Sequence, residues 1–415
     1  MERAKVVLRL NINNRLYLEA SKMRKRIYIQ FAVEIMLLVL VSKVWAQQEQ
    51  WLQYHSSREA GQILGDAGSQ TIQLSSEQPA GMKLPKFKGK NQFFAKWPTP
   101  MVKSGFIWIA LDRMHEQGLY DTLYIDSNGN GQLDDEAAVA AYRTDQRSAY
   151  WGPVKVIFEV EDGPVTYHLN FKAYQPRTGG CELFASSGGW YEGDVTVSEE
   201  KKHCVLFDYN ANGTFNDKSA NAAECDRIRI GKQGEESTLF TGNFIMVDEI
   251  LYQPEIARDG ACIKLTKAEG VKFGTVRLPE SITQFSANGE NGLFILKPEK
   301  AVASLPAGKY SVYDWIVERQ DEKGTNWRLK GSRLGERNAF EVTEDLQAVL
   351  SIGEPIIATL DSSESEGTHS FRHSMVGRAL ERIELTRNGA QPQAPKVRIV
   401  SADGTYDRTY SFQYG

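Results

Sequence analysis

The sequence predicts a mainly β fold arranged as tandem β-sandwich domains, and two observations support this class. Short runs such as GFIWIAL, VKVIFEVE and VTYHLNFKAY alternate apolar and polar residues and are rich in Val, Ile, Tyr, Phe and Thr, as half-buried strands are. Gly, Asp and Pro recur between these runs, for example in EDGP, ANGENG and ADG, and such residues form turns. Strands at this spacing are typical of sandwiches.

The amino-terminal residues have the pattern of a secretory signal peptide. A basic segment, RKR, precedes an apolar run, Ile27–Val41, and Ala46 offers a small residue for cleavage, which are the three features that such a signal requires. The run is shorter than the roughly 20 apolar residues of a membrane-spanning helix, although a membrane anchor is the alternative. We therefore expect translation from Met23, removal of residues 1–46, and a periplasmic or extracellular protein.

The chain that follows residue 46 is acidic, with 50 Asp and Glu residues against 40 Lys and Arg residues. Nucleic-acid binding needs basic patches that replace the counterions on phosphate, and the sequence has no Lys- or Arg-rich stripe. This composition argues against a nucleic-acid partner and leaves an unknown protein or glycan partner. We expect no membrane span once the signal peptide is removed.

Two predicted loops share one sequence pattern, DSNGNGQLDDE and DYNANGTFND. Asp, Asn, Asn and Gly occupy positions 1, 3, 5 and 6 of each loop, an Asp follows at position 10, and a pair of predicted strands precedes each loop. This repeat predicts two related β units. Alternate oxygen side chains that curl round a glycine turn suit calcium, which takes about six to eight oxygen ligands. The alternative is an Asx-rich turn without metal.

The candidate ligands are side-chain oxygens and, at position 7, main-chain carbonyls. In the first loop they are Asp126, Asn128, Asn130, Gln132, Asp134, Asp135 and Glu136. In the second loop they are Asp208, Asn210, Asn212, Thr214 and Asp217. The first loop carries more carboxylates, so charge count predicts that it binds calcium more tightly. Leu133 and Phe215 stand at position 8, where we expect an apolar side chain to anchor each loop to the core.

These loops resemble EF-hand or dockerin calcium loops. The resemblance stops at position 12, where the EF-hand has a bidentate Glu and this chain has Ala137 and Ser219. Each loop also follows a predicted strand and not a helix. The resemblance therefore implies calcium binding of a structural kind, without the helix movement of a sensor, and leaves the closing ligand open.

Four domains are expected after the signal peptide: 47–180 with the first loop, 181–270 with the second loop, 271–345 and 346–415. The third resembles the carboxypeptidase-regulatory-like, or transthyretin-like, sandwich through GTVRL, GLFIL and LPAGKYSV, and the fourth resembles an immunoglobulin-like module through GEP and SFQYG. The whole chain resembles uncharacterised exported bacterial proteins built of such modules. One helix is predicted, at residues 134–142, because acidic residues open an alanine-rich segment there.

Four cysteines, Cys181, Cys204, Cys225 and Cys262, lie in the second predicted domain. An even number of clustered cysteines in an exported protein indicates two disulfides, with three possible pairings that the sequence cannot separate. We favour a Cys204–Cys225 pair, which would brace the second loop, and a Cys181–Cys262 pair. The alternative is four buried thiols, and the spacing fits no zinc site.

The sequence contains no catalytic motif of the nucleophile-elbow, phosphate-loop or His-Glu-x-x-His type. We therefore expect no enzyme activity and a role as a binding or scaffolding module. The alternatives are a polysaccharide-binding or hydrolase accessory protein and a cell-surface assembly protein. A sugar-stacking platform would need exposed tryptophans, of which Trp190 is the best candidate, although tryptophans usually pack in cores.

Overall fold

The computed structural model describes residues 49–59, 68–115, 118–161, 163–234, 237–334 and 338–413. The predicted signal peptide and the start at Met23 lie outside these ranges. The described residues contain no α-helix, and their strands form several antiparallel sheets, so the mainly β class is confirmed. Among the same residues, no helix has the length and apolar character needed to cross a membrane.

The first part of the chain contains nineteen strands. They are β1 Gln50–Trp51, β2 Gln53–Ser56, β3 Ser69–Ile72, β4 Leu74–Ser75, β5 Phe93–Pro98, β6 Phe106–Asp112, β7 Thr122–Ile125, β8 Val139–Ala140, β9 Arg143–Thr144, β10 Ser148–Val160, β11 Gly163–Tyr174, β12 Glu182–Ser187, β13 Gly189–Val197, β14 Glu200–Phe207, β15 Arg227–Gly231, β16 Thr238–Phe240, β17 Ile245–Val247, β18 Ile250–Ile256 and β19 Cys262–Lys267.

The remaining thirteen strands complete the described chain. They are β20 Phe273–Arg277, β21 Gln284–Gly289, β22 Gly292–Leu296, β23 Val302–Pro306, β24 Gly308–Gln320, β25 Asn326–Ser332, β26 Ala339–Val342, β27 Ala348–Val349, β28 Ile357–Ser365, β29 Thr368–Val376, β30 Arg382–Arg387, β31 Lys396–Val400 and β32 Asp407–Ser411.

Four sheets formed by β1 to β19 share one hydrophobic core. Their strand orders are β4-β5-β6-β7-β8, β3-β12-β11-β10-β9, β16-β15-β14-β13-β2 and β1-β19-β18-β17. Each sheet contributes fully buried side chains to this core, for example Trp97, Leu169, Leu206 and Ile263. Burial of apolar area is the main favourable term in folding, so these four sheets stabilise one another. The core crosses residue 180, where a domain boundary is predicted from the sequence.

A second core lies mainly in the part that follows β19. The long sheet β22-β21-β24-β25-β30-β29-β28 and the sheet β23-β20-β27 supply its strands, and β20 and β27 form a parallel pair. Phe285, Trp315 and Val317 are fully buried in this core. The hairpin β31-β32 forms a separate two-stranded sheet. The strands therefore surround two main apolar cores, and β18 contributes Tyr252 to the first and Leu251 to the second.

The helix predicted at residues 134–142 is wrong. Val139–Ala140 is strand β8, which pairs with β7. The acidic residues that were expected to open a helix accept hydrogen bonds from the first loop instead, Asp135 from two amide side chains and Glu136 from Ser127. These contacts and the pairing of β8 outweigh the helix propensity of the alanines.

Both predicted disulfides are wrong, because no two of the four cysteines lie at disulfide distance. Cys204 faces the large core from β14. Cys225 belongs to a different, smaller cluster, and its Sγ lies 2.8 Å from the Ser219 carbonyl oxygen. Cys181 precedes β12 and Cys262 begins β19, and these strands belong to different sheets. The cysteines are close in sequence, but the fold separates them.

Trp190 is buried, with 1% of its surface exposed, which contradicts the exposure predicted for it. Its Nε1 donates a hydrogen bond to Glu192 Oε2 at 2.7 Å, and its ring stacks on His55. Trp97, Trp151 and Trp315 are likewise fully buried. These tryptophans pack in the interior and do not form a sugar-stacking surface.

Candidate metal centre

The two loops occupy the same place in two similar β units. Strand β6 pairs with β7 before the first loop, and β13 pairs with β14 before the second. After each loop a short strand returns beside the strand that led into it, β8 beside β7 and β15 beside β14. The predicted repeat of two related β units is therefore visible in the pairing of the strands.

The backbone of each loop curls through residues with positive φ at positions 4 and 6. These residues are Gly129 (φ 68°) and Gly131 (φ 80°) in the first loop, and Ala211 (φ 53°) and Gly213 (φ 100°) in the second. Glycine adopts this left-handed region without the steric cost that other residues incur. The curl turns successive main-chain N–H groups toward the aspartate at position 1.

The position 1 aspartate holds the curl in both loops. Asp126 Oδ1 accepts a hydrogen bond from the Asn130 N–H at 2.9 Å, and its Oδ2 accepts one from the Gly131 N–H at 2.9 Å. In the second loop, Asp208 Oδ1 lies 3.3 Å from the Asn212 nitrogen and Oδ2 lies 2.8 Å from the Gly213 nitrogen. The same two N–H groups, at positions 5 and 6, are bonded in each case.

The asparagines at positions 3 and 5 repeat one pattern as well. In the first loop, Asn128 Oδ1 accepts from the Asn130 N–H at 3.0 Å and Asn130 Oδ1 accepts from the Gln132 N–H at 2.7 Å. The amide nitrogens of both asparagines donate to Asp135 Oδ2, at 3.0 and 2.8 Å. Positions 1, 3, 5 and 10 of this loop are therefore joined in one cluster.

The second loop reproduces this cluster. The nitrogens of Asn210 and Asn212 donate to Asp217 Oδ2 at 2.9 and 2.6 Å. In both loops the amide nitrogens face the position 10 carboxylate, an arrangement that an Asx-rich turn also satisfies. The oxygen and nitrogen of an amide exchange places on a half-turn of the group. That half-turn would direct two further oxygens toward the carboxylate, and carboxylate and amide oxygens together suit calcium. It would also require the main-chain N–H groups that now donate to these oxygens to find other acceptors.

The main-chain oxygens predicted at position 7 are available as ligands. In the described part of the chain, neither the Gln132 nor the Thr214 carbonyl accepts a hydrogen bond. The Gln132 side chain is used elsewhere, since its Oε1 accepts from the Lys83 N–H at 2.7 Å. Asp134 is exposed, and no hydrogen bond joins it to the other candidate ligands of the described loop. The fold therefore brings together most of the predicted set and leaves Asp134 outside it.

Sequence reasoning missed Asp226, a fully buried carboxylate beside the second loop. Its Oδ1 accepts from the Tyr209 N–H at 3.1 Å and its Oδ2 from the Asp217 N–H at 2.8 Å. Glu136 makes the equivalent contact in the first loop, where its Oε1 accepts a hydrogen bond from the Ser127 N–H at 2.6 Å. In each loop, therefore, a carboxylate accepts a hydrogen bond from the N–H of position 2. In the second loop that carboxylate lies outside the repeated sequence pattern.

The apolar residues at position 8 anchor both loops, as predicted. Leu133 and Phe215 are 0% and 2% exposed. Leu133 packs in a small cluster with Phe94 and Tyr124, whereas Phe215 joins the large core. The N–H of each residue also donates to a neighbouring segment, at 3.1 and 3.0 Å. These contacts fix the loops to the sheets.

The second loop lies deeper in the protein and joins several strands. Trp97 Nε1, on β5, donates to the Ala211 carbonyl at 2.8 Å. The Tyr167 hydroxyl, on β11, donates to Asp208 Oδ2 at 2.7 Å. The Gln70 amide, on β3, donates to the carbonyl of the position 3 residue at 2.7 Å. The conformation of this loop is therefore coupled to strands of two other sheets.

Burial disfavours the ionised form of the aspartates in and beside the loops. It raises the pKa of Asp126, and it raises the pKa of Asp208 to about 7. The pKa of Asp226 is raised well above its usual value, first by burial and then by the nearby charges of Asp208 and Asp217. A buried carboxylate is stable when a proton or a cation neutralises it. The second loop therefore favours either protonation or a bound cation.

The raised pKa of Asp208 predicts how the free energy of unfolding depends on pH in the absence of calcium. An unfolded Asp has a pKa near 3.9, so the folded state with Asp208 at about 7 binds more protons between these values. The free energy of unfolding should then fall as pH rises from about 4 to 7. Urea unfolding of the protein in metal-depleted buffer at several pH values measures this slope.

Asp208→Asn should reduce the slope, because it removes one of the buried carboxylates whose pKa is raised. Asp403→Asn is the matched control. Asp403 is an exposed residue whose pKa is lowered to about 2 by hydrogen bonds from Ser401 and Thr405, so it does not titrate in this window. An equal slope for Asp208→Asn and the wild type would contradict the assignment.

The described residues contain no group of three or more His, Cys, Asp or Glu side chains placed to hold a metal. Each loop instead offers carboxylates together with amide and carbonyl oxygens, which are the ligands that a hard cation accepts. The family resemblances inferred from the sequence stay predictions. Comparison of the chain with protein-family models, with curated proteins and with solved structures finds no match.

Proposed function

We propose that this chain is an exported calcium-binding β protein that acts as a binding or scaffolding module. The observation that carries the proposal is the duplicated cluster, in which positions 1, 3, 5 and 10 of both loops make the same hydrogen bonds. The same carboxylate and amide side chains in the same contacts in both loops support two cation sites of one kind.

The role of calcium would be structural. A ligand that binds only the folded state stabilises it by about 2.7 kcal/mol at a hundredfold excess over Kd. In the second loop, the cation would neutralise Asp208 and hold the strands that carry Trp97 and Tyr167. We further propose that the sheets pack as sandwiches and that residues 346–415 form an immunoglobulin-like module. A rigid exported protein of this kind suits scaffolding or partner binding.

Calorimetric titration with calcium tests the proposal. Two binding events are expected, and the first loop should bind more tightly at neutral pH, because protons compete for the buried carboxylates of the second loop. Asp126→Asn should remove the tighter event and Asp208→Asn the weaker one.

Asp403→Asn is the control for these variants. Asp403 accepts hydrogen bonds from Ser401 and Thr405 in a turn that lacks the asparagine pattern, so this change should leave both events intact. No calcium-dependent heat from the wild type at millimolar calcium would overturn the proposal. Equal loss in all three variants would also count against the two assigned sites.

A further inference from the structure

A cleft of about 1270 Å³ lies between β29 and β30. Residues 371–376 of β29 and 382–386 of β30 line it, and the segment around Pro395 and Phe412 completes its wall. None of the lining residues belongs to the calcium loops. Pockets for small ligands usually measure about 300–1000 Å³, so this cleft has room for a segment of polymer.

The strands on the two sides of the cleft are each paired on one side only. Strand β29 pairs with β28 over its whole length, and β30 pairs with β25 over its whole length. The two strands pair with each other at Val376 and Arg382 alone. In the described part of the chain, no main-chain hydrogen bond crosses the cleft beyond the turn at 377–381. Two strand edges therefore face each other across open space, and such edges accept a further strand.

The cleft is basic, although the protein as a whole is acidic. Arg333, Arg372 and Arg382 line it, and Glu384 is its one acidic lining residue. Within the described residues, no carboxylate lies within ion-pair distance of these three guanidinium groups. A local excess of positive charge attracts and orients an anionic partner.

We propose that the cleft binds an extended acidic peptide segment of a partner protein, which adds as a strand between β29 and β30. In strand addition, main-chain hydrogen bonds supply affinity, and side-chain contacts supply specificity. Here the open edges would supply the hydrogen bonds, the arginines would pair with acidic side chains, and Trp327 and Phe412 would contact the others. The proposal goes beyond the calcium loops and stands whether or not they hold calcium.

Fluorescence anisotropy with two labelled decapeptides tests the charge preference. One peptide alternates Glu and Thr, and the other alternates Lys and Thr. The protein should bind the first and not the second. The double variant Arg372→Glu, Arg382→Glu should weaken binding at least about tenfold. The charge-matched control Arg177→Glu, Arg408→Glu changes arginines that do not line the cleft and should bind as the wild type does. Urea midpoints of both variants verify that they fold.

A second pair of probes tests strand addition against attraction by charge alone. Methylation of alternate main-chain nitrogens in the acidic peptide keeps its charge but removes donors from one edge, so binding should weaken at least about tenfold. Equal binding of the methylated peptide would overturn the proposal. So would binding of polygalacturonate without binding of the acidic peptide, or equal peptide binding by the wild type and the cleft variant. Binding should be the same with calcium and with a chelator, which separates this test from that of the calcium loops.

Discussion

Replacing Trp97 by Ala is expected to lower the free energy of unfolding by about 3–5 kcal/mol, which is the usual cost of removing a large buried aromatic side chain. Trp97 is 0% exposed, and its ring stacks at 5.9 Å on Tyr167. Its Nε1 also supplies a hydrogen bond to the Ala211 carbonyl in the second loop. The substitution therefore opens a cavity in the large core and removes the shorter of the two hydrogen bonds to a loop carbonyl, which keeps the longer one from Gln70. Urea unfolding measures the loss.

Two variants separate these contributions. Trp97→Phe keeps most of the apolar packing and loses the hydrogen bond, so we expect a loss of about 1–2 kcal/mol. Trp51→Ala removes a tryptophan that is 70% exposed, and it should stay within about 0.5 kcal/mol of the wild type. A loss below about 1 kcal/mol for Trp97→Ala would contradict its place in the core. Trp97→Ala should also weaken calcium binding at the second loop and spare the first.

Replacing Glu381 by Ala should cost roughly 3–5 kcal/mol, because a buried carboxylate leaves its donors unpaired when it is removed. Glu381 is 0% exposed. Its Oε1 accepts from Trp315 Nε1 at 3.0 Å and from the Gly353 N–H at 2.7 Å, and its Oε2 accepts from the Ala379 N–H at 2.7 Å. One side chain therefore joins three segments of the second core. Urea unfolding of the variant measures the loss.

Glu381→Gln should give an intermediate loss. Its amide oxygen can accept from Trp315 and Gly353, but its nitrogen meets the Ala379 N–H, which is also a donor. Glu384→Ala removes an exposed carboxylate from β30, the strand that begins directly after Glu381, and should change stability by less than about 0.5 kcal/mol. Equal stability of Glu381→Ala and Glu384→Ala would show that the carboxylate does not hold the second core.

The fold class could be predicted because hydrophobic periodicity is a local property. Alternation in segments such as VTYHLNFKAY predicts strands wherever one face is buried, and that segment lies within β11. The helix predicted at 134–142 failed for a reason that is not local. Its acidic residues are bonded to loop amides, and its valine pairs with β7. Tertiary contacts decided the conformation of a segment whose own propensity is helical.

Some residues of the candidate site could likewise be predicted from local sequence, whereas others depend on contacts between distant segments. The repeated sequence pattern predicted the aspartates and asparagines that cluster in each loop, and it predicted that Leu133 and Phe215 are buried. Asp226 could not be found from spacing, since only the pairing of β15 with β14 brings it to the second loop. The disulfide prediction failed because closeness in sequence does not determine which apolar cluster a cysteine enters. The distance between two cysteines depends on how the sheets are arranged, and the spacing of the cysteines along the chain does not determine that arrangement.

We expect the oxygens of each loop to converge on one calcium ion. Crystals grown in calcium, with data collected for anomalous scattering, would show this. One peak is expected in each loop, with oxygens of Asp126, Asn128, Asn130 and Asp135 around the first at about 2.3–2.6 Å. Absence of both peaks, with the asparagine nitrogens still bonded to Asp135 and Asp217, would contradict calcium binding by these loops.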